Sequence, residues 1–533
     1  MEPEADRRSF ARRCADLALI ALFAVAVLAP TVDLFVRDDV ARGPGPELRR
    51  PAPKPALPSD LRELIAFPRQ YEAYWKDSFG LRDKLLRSHS AFKVLALGVS
   101  PDPLHVIGKE RWIYNTNDHL IDSWRGARPL SDERLAAWVA RLERRRRAVE
   151  ELGAHYVFAL APDKPSIYPE YVPDRLNKFG PSAADQFYEY ARAHSTVDVL
   201  DLRPALIAEK VNDAPGDYVY YRLGTHWQLR GAIAGYNAFV ERLRPLFPSL
   251  PTLPLSEHRL LEYKNLGDAE TRNMYIPDLI PQQDHFYTLK SGIKHKTLQP
   301  RRDGSRTLVT ANPGADLPRV VILHDSFGPF FENQWAAATS HLAMIHDYEF
   351  DLVQIASHQP DIVIELIVER MLHGQDPSKL TAGEQRTVAR RFANAAKVLY
   401  ALEPAAPALK PLRRAEVKSA SDERGAHVEL QARIKGSVFE LQGLTPQPAA
   451  QVLARVVIDA QEAGSVALLW RCEGDAGWLE RRKAQMRTAV GRNELHLLLQ
   501  PGDKPLERVL LVAQPRPGAW RLRELELRVE AQP

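Results

Sequence analysis

The alternation of apolar and polar positions divides the chain into three parts. An uncharged apolar run covers residues 17–32 and reaches Val36 if Asp33 is tolerated, which is about one bilayer's width of helix. From about residue 131, short apolar runs alternate with amphipathic helical segments. After about residue 414 the runs are short and have a period of two. The pattern therefore predicts an apolar helix, an α/β region and an all-β region.

The flanks of the first apolar run indicate how it is inserted. Arginines at positions 7, 8, 12 and 13 precede it, and this positive charge places the N-terminus in the cytoplasm. A cleaved signal peptide is the alternative, but cleavage after Ala29 would leave Pro30 just beyond the cut. We therefore expect residues 1–41 to form a cytoplasmic tail and a single-pass inner-membrane anchor, with the main domains in the periplasm.

The region after the anchor is predicted to be a spacer followed by an α/β domain. Residues 42–60 are Pro-rich and suit an extended, semi-rigid linker. Within residues 61–413, the buried strands HYVFALAP, RVVILHD and DIVIELIVE are separated by helices, which predicts a largely parallel sheet. We expect an irregular stretch up to about residue 318. Arg144–Arg147 should be a solvated face of the helix that begins at Ser131.

The last part, residues 414–533, is predicted to be a β-sandwich of about seven or eight strands, because Gly, Pro and Asn separate its short alternating runs. The sandwich is a candidate carbohydrate-binding domain. Trp470, Trp478 and Trp520 could present aromatic faces to sugar rings, although a role in the core is the favoured interpretation.

Composition excludes several classes of function. The 72 Lys and Arg residues nearly balance 68 Asp and Glu residues, so a net charge of +4 gives no indication of nucleic-acid binding. Cys14 and Cys472 are the only cysteines, which excludes a disulfide framework and a cysteine metal site. The sequence has no Gly-rich phosphate loop, paired-His helix motif or Asp-rich calcium loop, so we predict no cofactor.

Two segments carry candidate chemistry. An apolar strand ends at Asp325-Ser326-Phe327 and a helix is predicted to follow, so Ser326 should lie at the carboxyl end of a strand, where α/β sheets bind ligands. The N–H groups of such a helix could stabilise an oxyanion, and simple helix capping by Ser326 is the alternative. In YRLGTHWQLRGA, His226 could be the base that a serine nucleophile needs, or a partly buried ring stacked on Trp227.

These segments resemble those of a known family. Gly-x-His-Trp before an Arg-Gly-Ala helix, and a later strand ending in Asp-Ser-Phe, resemble the SGNH-hydrolase-like domain of the alginate O-acetyltransferase (AlgX/AlgJ) proteins. DSFGLRDKLL, LGVSPDPLHVIGKERWIY, APDKPSIYPEYVP and DIVIELIVER resemble further parts of that domain, in the same order. The resemblance covers about residues 65–375. It implies that Ser326 is a nucleophile and His226 its general base.

The sequence departs from the family at the acid that orients the base. Family members usually have Asp two residues before the His, where this chain has Gly224. Asp325 belongs to the nucleophile turn and cannot be assumed to substitute. Three explanations stay open: a carboxylate such as Asp217 or Asp201 reaches His226, a Ser-His dyad operates with a backbone carbonyl, or the domain is a non-catalytic binder.

Two smaller expectations concern the surroundings of the site. His324 stands where the family motif usually has Gly, which is a second departure. The loop that carries Lys164 and Tyr168 could form a wall of the substrate site, with a solvated structural loop as the equal alternative.

The resemblance implies a function. We expect a periplasmic O-acetyltransferase that acts on exopolysaccharide hydroxyls through an acyl-serine intermediate. Acetyl-CoA is cytoplasmic, so a membrane-bound O-acyltransferase is implied as the donor relay, and the polysaccharide is the other partner. The alternatives are a polysaccharide O-acetyl esterase and a non-catalytic polysaccharide-binding or scaffold subunit of an export complex.

Overall fold

The computed structural model describes residues 3–36, 52–265, 269–280, 282–292, 295–300, 306–412, 415–432, 437–444, 451–475, 477–478, 482–501, 504–514 and 519–529. The chain begins with helices α1 (Pro3–Val36), α2 (Leu61–Ser78) and α3 (Arg82–Ala91). The segment Arg12–Pro30 of α1 is long and apolar enough to cross a membrane. By length and composition it fits either an anchor or a signal sequence. Most of the predicted linker lies outside the described residues.

The turn between α2 and α3 packs on the end of α1. The Leu81 N–H donates a hydrogen bond to the Asp33 carboxylate at 2.9 Å. Gly80 is required there, because a Cβ would lie 2.1 Å from the Pro30 carbonyl oxygen. The α3 helix is fixed to the α/β domain by Arg87, which pairs with both carboxylate oxygens of Asp278 at 2.6 and 2.8 Å.

The α/β domain contains eleven strands and eleven helices among its described residues. The strands are β1 (His105–Ile107), β2 (Ile113–Asn115), β3 (His155–Ala161), β4 (Asp198–Asp201), β5 (His258–Asn265), β6 (Gln282–Leu289), β7 (Lys296–Gln299), β8 (Thr307–Ala311), β9 (Arg319–His324), β10 (His341–His346) and β11 (Ile362–Val368). The helices are α4 (Leu120–Arg125), α5 (Asp132–Glu150), α6 (Lys164–Ile167), α7 (Ala183–His194), α8 (Arg203–Lys210), α9 (Leu229–Leu243), α10 (Ala269–Asn273), α11 (Glu332–Ala337), α12 (Leu352–Ser357), α13 (Met371–Gly374) and α14 (Ala382–Asn394).

Seven strands form the central sheet, in the order β4-β3-β11-β9-β10-β8-β7. The first five are parallel, and β8 and β7 are antiparallel additions at one edge. The largely parallel α/β fold predicted from the sequence is therefore confirmed. Because β3, β11 and β9 are neighbours, the residues that follow these three strands meet at the carboxyl edge of the sheet.

Both faces of this sheet are covered. Along β9, Val320 and Ile322 belong to one buried apolar cluster, while Val321 and Leu323 belong to the cluster on the other face. Successive side chains of a strand point to opposite faces, so a strand that is apolar throughout must be buried on both. This explains why RVVILHD could be recognised in the sequence.

The expected irregular stretch up to residue 318 is wrong, because it contains β5 to β8. The β5 and β6 strands pair as a separate antiparallel hairpin. β7 is an exposed edge strand with the sequence KTLQ. A short, exposed strand such as β7 lacks the periodicity by which a strand is recognised.

The prediction of a solvated Arg144–Arg147 face is wrong for Arg145. Its side chain is only 2% exposed and pairs with Glu365 in β11 and Glu384 in α14. A carboxylate in the middle of a buried strand needs a cation, and α5 supplies it. In the same run only Arg147 is exposed.

The C-terminal part is built from two antiparallel sheets, which confirms the predicted all-β fold, but the described residues form eleven strands from Lys397 onward rather than seven or eight from residue 414. Its strands are β12 (Lys397–Ala401), β13 (Leu409–Pro411), β14 (Ala415–Asp422), β15 (Gly425–Ala432), β16 (Ser437–Leu441), β17 (Val452–Ala460), β18 (Gly464–Cys472), β19 (Lys483–Thr488), β20 (Gly491–Leu499), β21 (Leu506–Gln514) and β22 (Ala519–Val529). One sheet has the order β14-β15-β22-β17-β20 with β12 beside β22, and the other has the order β13-β16-β21-β18-β19.

The core of this domain includes two of the three tryptophans considered above. Trp470 and Trp520 are buried in it, as favoured, whereas Trp478 is 38% exposed. The domain is joined to the α/β domain through α14, whose Phe392 packs in one cluster with Leu453 and Leu498.

Candidate active site

Ser326 lies in the turn after β9, and it is exposed. The preceding Asp325 is buried, which raises the pKa of its carboxyl group. That carboxylate accepts hydrogen bonds from the Phe327 N–H at 2.9 Å and from the Val368 N–H at 2.6 Å. Asp325 therefore fastens the serine turn to the end of β11, which is a structural role.

His324, the second departure from the family motif, is accommodated within this turn. Its Nδ1 is 2.6 Å from the Asp325 carbonyl oxygen, and its ring stacks on His346 with the ring centres 5.2 Å apart. A Cβ on Gly328 would lie 2.2 Å from the His324 ring. The imidazole thus fits because residue 328 has no side chain.

The structure brings His226 and Ser326 together. His226 Nε2 lies 2.8 Å from Ser326 Oγ. The loop that presents the imidazole is closed by a hydrogen bond from the Tyr221 N–H to the His226 carbonyl oxygen at 3.0 Å. The ring packs against Phe327 and Phe330, at centroid distances of 4.7 and 5.5 Å. A serine hydroxyl and a neutral imidazole at this distance can exchange a proton.

The surroundings of His226 keep it neutral. Burial, followed by the positive charges of Arg370 and Lys164, lowers the pKa of His226 to about 4. Both effects penalise the imidazolium form. At neutral pH the ring therefore has a free acceptor nitrogen for the serine proton.

Neither carboxylate considered from the sequence orients this ring. Asp217 accepts a hydrogen bond from the Tyr287 hydroxyl at 2.8 Å, and Asp201 pairs with Arg203 at 2.8 Å. Within the described part of the chain, Ser326 is the one hydrogen-bond partner of the His226 ring. The arrangement is therefore a Ser-His pair without an Asp, and the explanation through Asp217 or Asp201 is wrong.

Lys164 binds the backbone of the loop at Gly224, the position of the substituted acid. Its ammonium group donates to the carbonyl oxygens of Tyr221 at 2.9 Å and Arg222 at 3.1 Å, and also to that of Gly224. It is 5.3 Å from the centre of the Tyr114 ring. Lys164 thus holds the backbone of the loop that carries His226.

The idea that Lys164 and Tyr168 form a substrate wall is wrong, because both are buried. The Tyr168 hydroxyl donates to Asp213 at 2.7 Å and accepts from the Val219 N–H at 2.9 Å. Lys164 therefore holds the backbone of the His226 loop, and Tyr168 holds the backbone that leads into it, at Val219. A lysine placed directly after a buried strand was the one sequence signal for this role.

Sequence reasoning missed a second charged group, at the ends of β3 and β11. Arg370 forms a buried ion pair with Asp163. Glu369 accepts hydrogen bonds from the Asp163 N–H at 3.0 Å and the Ser166 hydroxyl at 2.7 Å. Burial and the neighbouring Asp163 raise the pKa of Glu369 to about 7. This network joins the turns that follow the adjacent strands β3 and β11.

The helix expected after Ser326 is present, but its first N–H groups are already bound. The turn continues into a 3₁₀ helix, Gly328–Phe331, before the short α11. The Phe327 N–H is bound to the Asp325 carboxylate, and the Gly328 N–H lies 3.2 Å from the Asp325 carbonyl oxygen. Asp325 thus occupies donors that a helix end would have offered to an oxyanion.

No metal site accompanies this pair: in the described ranges, no three His, Cys, Asp or Glu side chains are grouped to hold an ion. The chemistry that the arrangement can perform is acyl transfer through a serine.

Comparisons with known proteins find a family match for part of the α/β domain. Residues 106–308 match the family model described as "SGNH hydrolase-like domain, acetyltransferase AlgX"; the segment includes His226 and ends before Ser326. No curated protein matches the sequence significantly.

Three solved structures are similar to this chain. Bacillus cereus PatB1 has 14% identity, covers 51% of this chain and 99% of its own, and gives a TM-score of 0.40. The O-acetyltransferase domain of Pseudomonas putida AlgJ has 17% identity, coverages of 52% and 94%, and a TM-score of 0.33. Pseudomonas aeruginosa AlgX has 13% identity, coverages of 82% and 96%, and a TM-score of 0.38. The family match supports the resemblance inferred from the motifs: residues 106–308 are similar to an SGNH hydrolase-like domain of the AlgX acetyltransferase type.

Proposed function

We propose that this protein is a periplasmic O-acetyltransferase that modifies exopolysaccharide hydroxyls through an acyl-serine intermediate. The observation that supports it most is the 2.8 Å contact between Ser326 Oγ and His226 Nε2, on a serine that is exposed. A partly buried, neutral imidazole beside an exposed hydroxyl is the arrangement that nucleophilic catalysis requires.

The reaction takes place in two halves. Ser326 Oγ attacks the donor's acetyl carbonyl while its proton moves to His226 Nε2. The tetrahedral intermediate then expels the donor's alcohol or thiol, which takes that proton and leaves an acetyl ester on Ser326. In the second half a sugar hydroxyl gives its proton to His226 and attacks the ester. Ser326 Oγ leaves and is reprotonated by His226, and the acetyl group remains on the sugar.

The positive charges near the Ser-His pair affect both charged groups that form during the reaction, the oxyanion and the imidazolium. The cations Arg370 and Lys164, which lower the pKa of His226, also favour the negative oxygen of each tetrahedral intermediate. They raise the free energy of the imidazolium that forms at the same time. Without an Asp partner, His226 therefore holds the proton only briefly before passing it to the leaving group.

The proposed location determines which acetyl donor is available. We propose that α1 remains as an inner-membrane anchor, because arginines precede its apolar segment Arg12–Pro30. A periplasmic site has no acetyl-CoA, so a membrane-bound O-acyltransferase would supply the acetyl group. The C-terminal domain would hold the polymer.

The test is acyl-enzyme formation. The full-length protein is incubated with an activated acetyl ester, with and without candidate oligosaccharides, and its intact mass is measured. We expect one added acetyl group that is absent in Ser326→Ala and present in the control Ser357→Ala, since Ser357 is an exposed hydroxyl on α12.

The outcomes separate the candidate functions. Discharge by the oligosaccharide but not by water supports transfer. Discharge by water alone supports an esterase. Absence of any Ser326-dependent adduct contradicts catalysis and favours a binding subunit.

A further inference from the structure

The α2 helix has an apolar face that is exposed. Leu61 and Ile65 are 73% and 75% exposed, values far above those of core residues. Positions separated by three or four residues share one face of a helix. The exposed large apolar residues of this face, which we call the α2 apolar face, are Leu61, Leu64, Ile65, Tyr71 and Trp75.

An exposed face of this kind needs a partner. Among the residues of α2, Tyr74 alone is buried. An isolated helix of 18 residues is marginal in water unless an apolar face packs on something. Contiguous exposed apolar patches on a folded protein mark sites of interaction with proteins or membranes.

The position of α2 indicates which partner this is. The turn at Gly80 and Leu81 rests on Pro30 and Asp33, the residues that end the apolar segment of α1. If that segment spans the membrane, the C-terminal end of α2 lies at the level of the membrane surface, because α2 ends just before this turn. The inference therefore rests on the anchor proposed above.

The residues of α2 suit the boundary between lipid and water. Tyr71 and Trp75 stack with ring centres 6.5 Å apart, and such amphipathic aromatics are enriched at membrane interfaces. Arg62 and Arg69 are exposed and can reach lipid phosphates. Gln70 lies about 140° around the helix from Ile65, on the polar side.

We propose that the α2 apolar face lies in the headgroup boundary of the membrane that holds α1. The helix would then act as a second contact with the bilayer. The α3 helix follows α2 directly and is fixed to the α/β domain through Arg87 and Asp278. The membrane contact of α2 would therefore hold the α/β domain in one orientation over the membrane. A donor relay embedded in that membrane would meet the site in a fixed geometry.

The experiment measures the depth of single positions in the full-length chain. Cys14→Ser leaves only the buried Cys472, and Ile65→Cys or Gln70→Cys is then added as one labelling site. Each variant carries an environment-sensitive fluorophore in nanodiscs of phosphatidylethanolamine and phosphatidylglycerol, with and without doxyl-labelled lipid. We expect a blue shift at position 65 and loss of its emission to doxyl lipid, with neither change at position 70.

Three results would overturn the proposal. Equal, water-like emission at both positions means that the face is not covered. A blue shift at position 65 without quenching by doxyl lipid means that protein covers it, either a second copy or another membrane protein. Recovery of the full-length chain as a soluble species contradicts the anchor, and this proposal with it, but leaves the acyl-serine proposal standing.

Discussion

The α/β domain and the C-terminal domain both bury apolar cores, but they use buried charge differently. In the C-terminal domain, Arg523 in β22 pairs with Asp459 on the adjacent β17 and with Asp422 on β14, two strands away in the same sheet. In the α/β domain, Lys164 binds the backbone of the loop that carries His226, and the Arg370 ion pair lies at the ends of the neighbouring strands β3 and β11. Burying charges costs free energy unless they are well paired. In the α/β domain the buried charges lie where they fix the loop geometry on which the Ser-His pair depends.

This comparison is tested most severely at Ser326. Because its side chain is exposed, Ser326→Ala should change the free energy of unfolding by no more than about 0.5 kcal/mol. Loss of a nucleophile should lower turnover of an activated acetyl ester by about a thousandfold or more. His226→Gln should act on the same scale. Turnover rates and denaturation curves are measured for both variants. A variant that lost stability and kept its activity would contradict the catalytic interpretation.

The second prediction concerns buried charge away from the site. Arg145→Met would leave Glu365 and Glu384 buried without their cation, so we expect a loss of about 3–5 kcal/mol in the free energy of unfolding. The matched control is Arg147→Met, in the same run but exposed, with an effect within about 0.5 kcal/mol. Chemical denaturation followed by circular dichroism measures both. A stable Arg145→Met protein would mean that this network does not hold α5 and α14 to the sheet.

These residues also show what the sequence can reveal. The strands RVVILHD and DIVIELIVE were recognisable because strands buried on both faces are apolar throughout. Ser326 and His226 were recognisable because each lies in a short motif beside a strand or helix. The motifs are Asp-Ser-Phe after an apolar strand and Gly-x-His-Trp before a helix. The pairing of Arg145 with Glu365 spans 220 residues, and that of Lys164 with Tyr221 spans 57. Nothing local distinguishes Arg145 from the exposed Arg147 two positions on, because the difference lies in the strand it faces.

The third prediction concerns pH. His226 acts as a base, so activity should be lost as the pH falls through its pKa, which burial and two cations lower to about 4. In kcat/KM for an activated ester we therefore expect a plateau from pH 7 to about pH 5 and a decline near pH 4, rather than near the ordinary value of about 6.5. A decline near 6.5 would show that neither burial nor the two cations lowers the pKa of the imidazole.

Lys164→Met sharpens this test. Removing the cation should move the acid limb of the profile to higher pH, because less charge opposes the imidazolium. It also leaves carbonyl oxygens of the His226 loop without their donor, so kcat should fall. Lys178→Met, at an exposed lysine, is the control and should keep the wild-type profile. A lower kcat with an unmoved acid limb would mean that Lys164 acts only by holding the loop.

The smallest expected effect lies in the C-terminal domain and concerns Trp478. Unlike Trp470 and Trp520, which fill the core, its ring is 38% exposed, and Arg508 lies 5.9 Å from the ring centre. An exposed aromatic face beside a cation suits a sugar ring that carries negative charge. Trp478→Ala should therefore weaken binding of an acidic polysaccharide by about fivefold, equivalent to about 1 kcal/mol, with little change in stability.

The control for Trp478 is the buried Trp520→Phe, which should lower stability and leave the affinity of the folded protein unchanged. Titration of each full-length variant with uronate-rich and neutral oligosaccharides separates the two effects. Equal loss of affinity in both variants would mean that the polymer responds to the integrity of the sandwich rather than to one exposed ring. The C-terminal domain would then have only a structural role, which is to brace the α/β domain through α14.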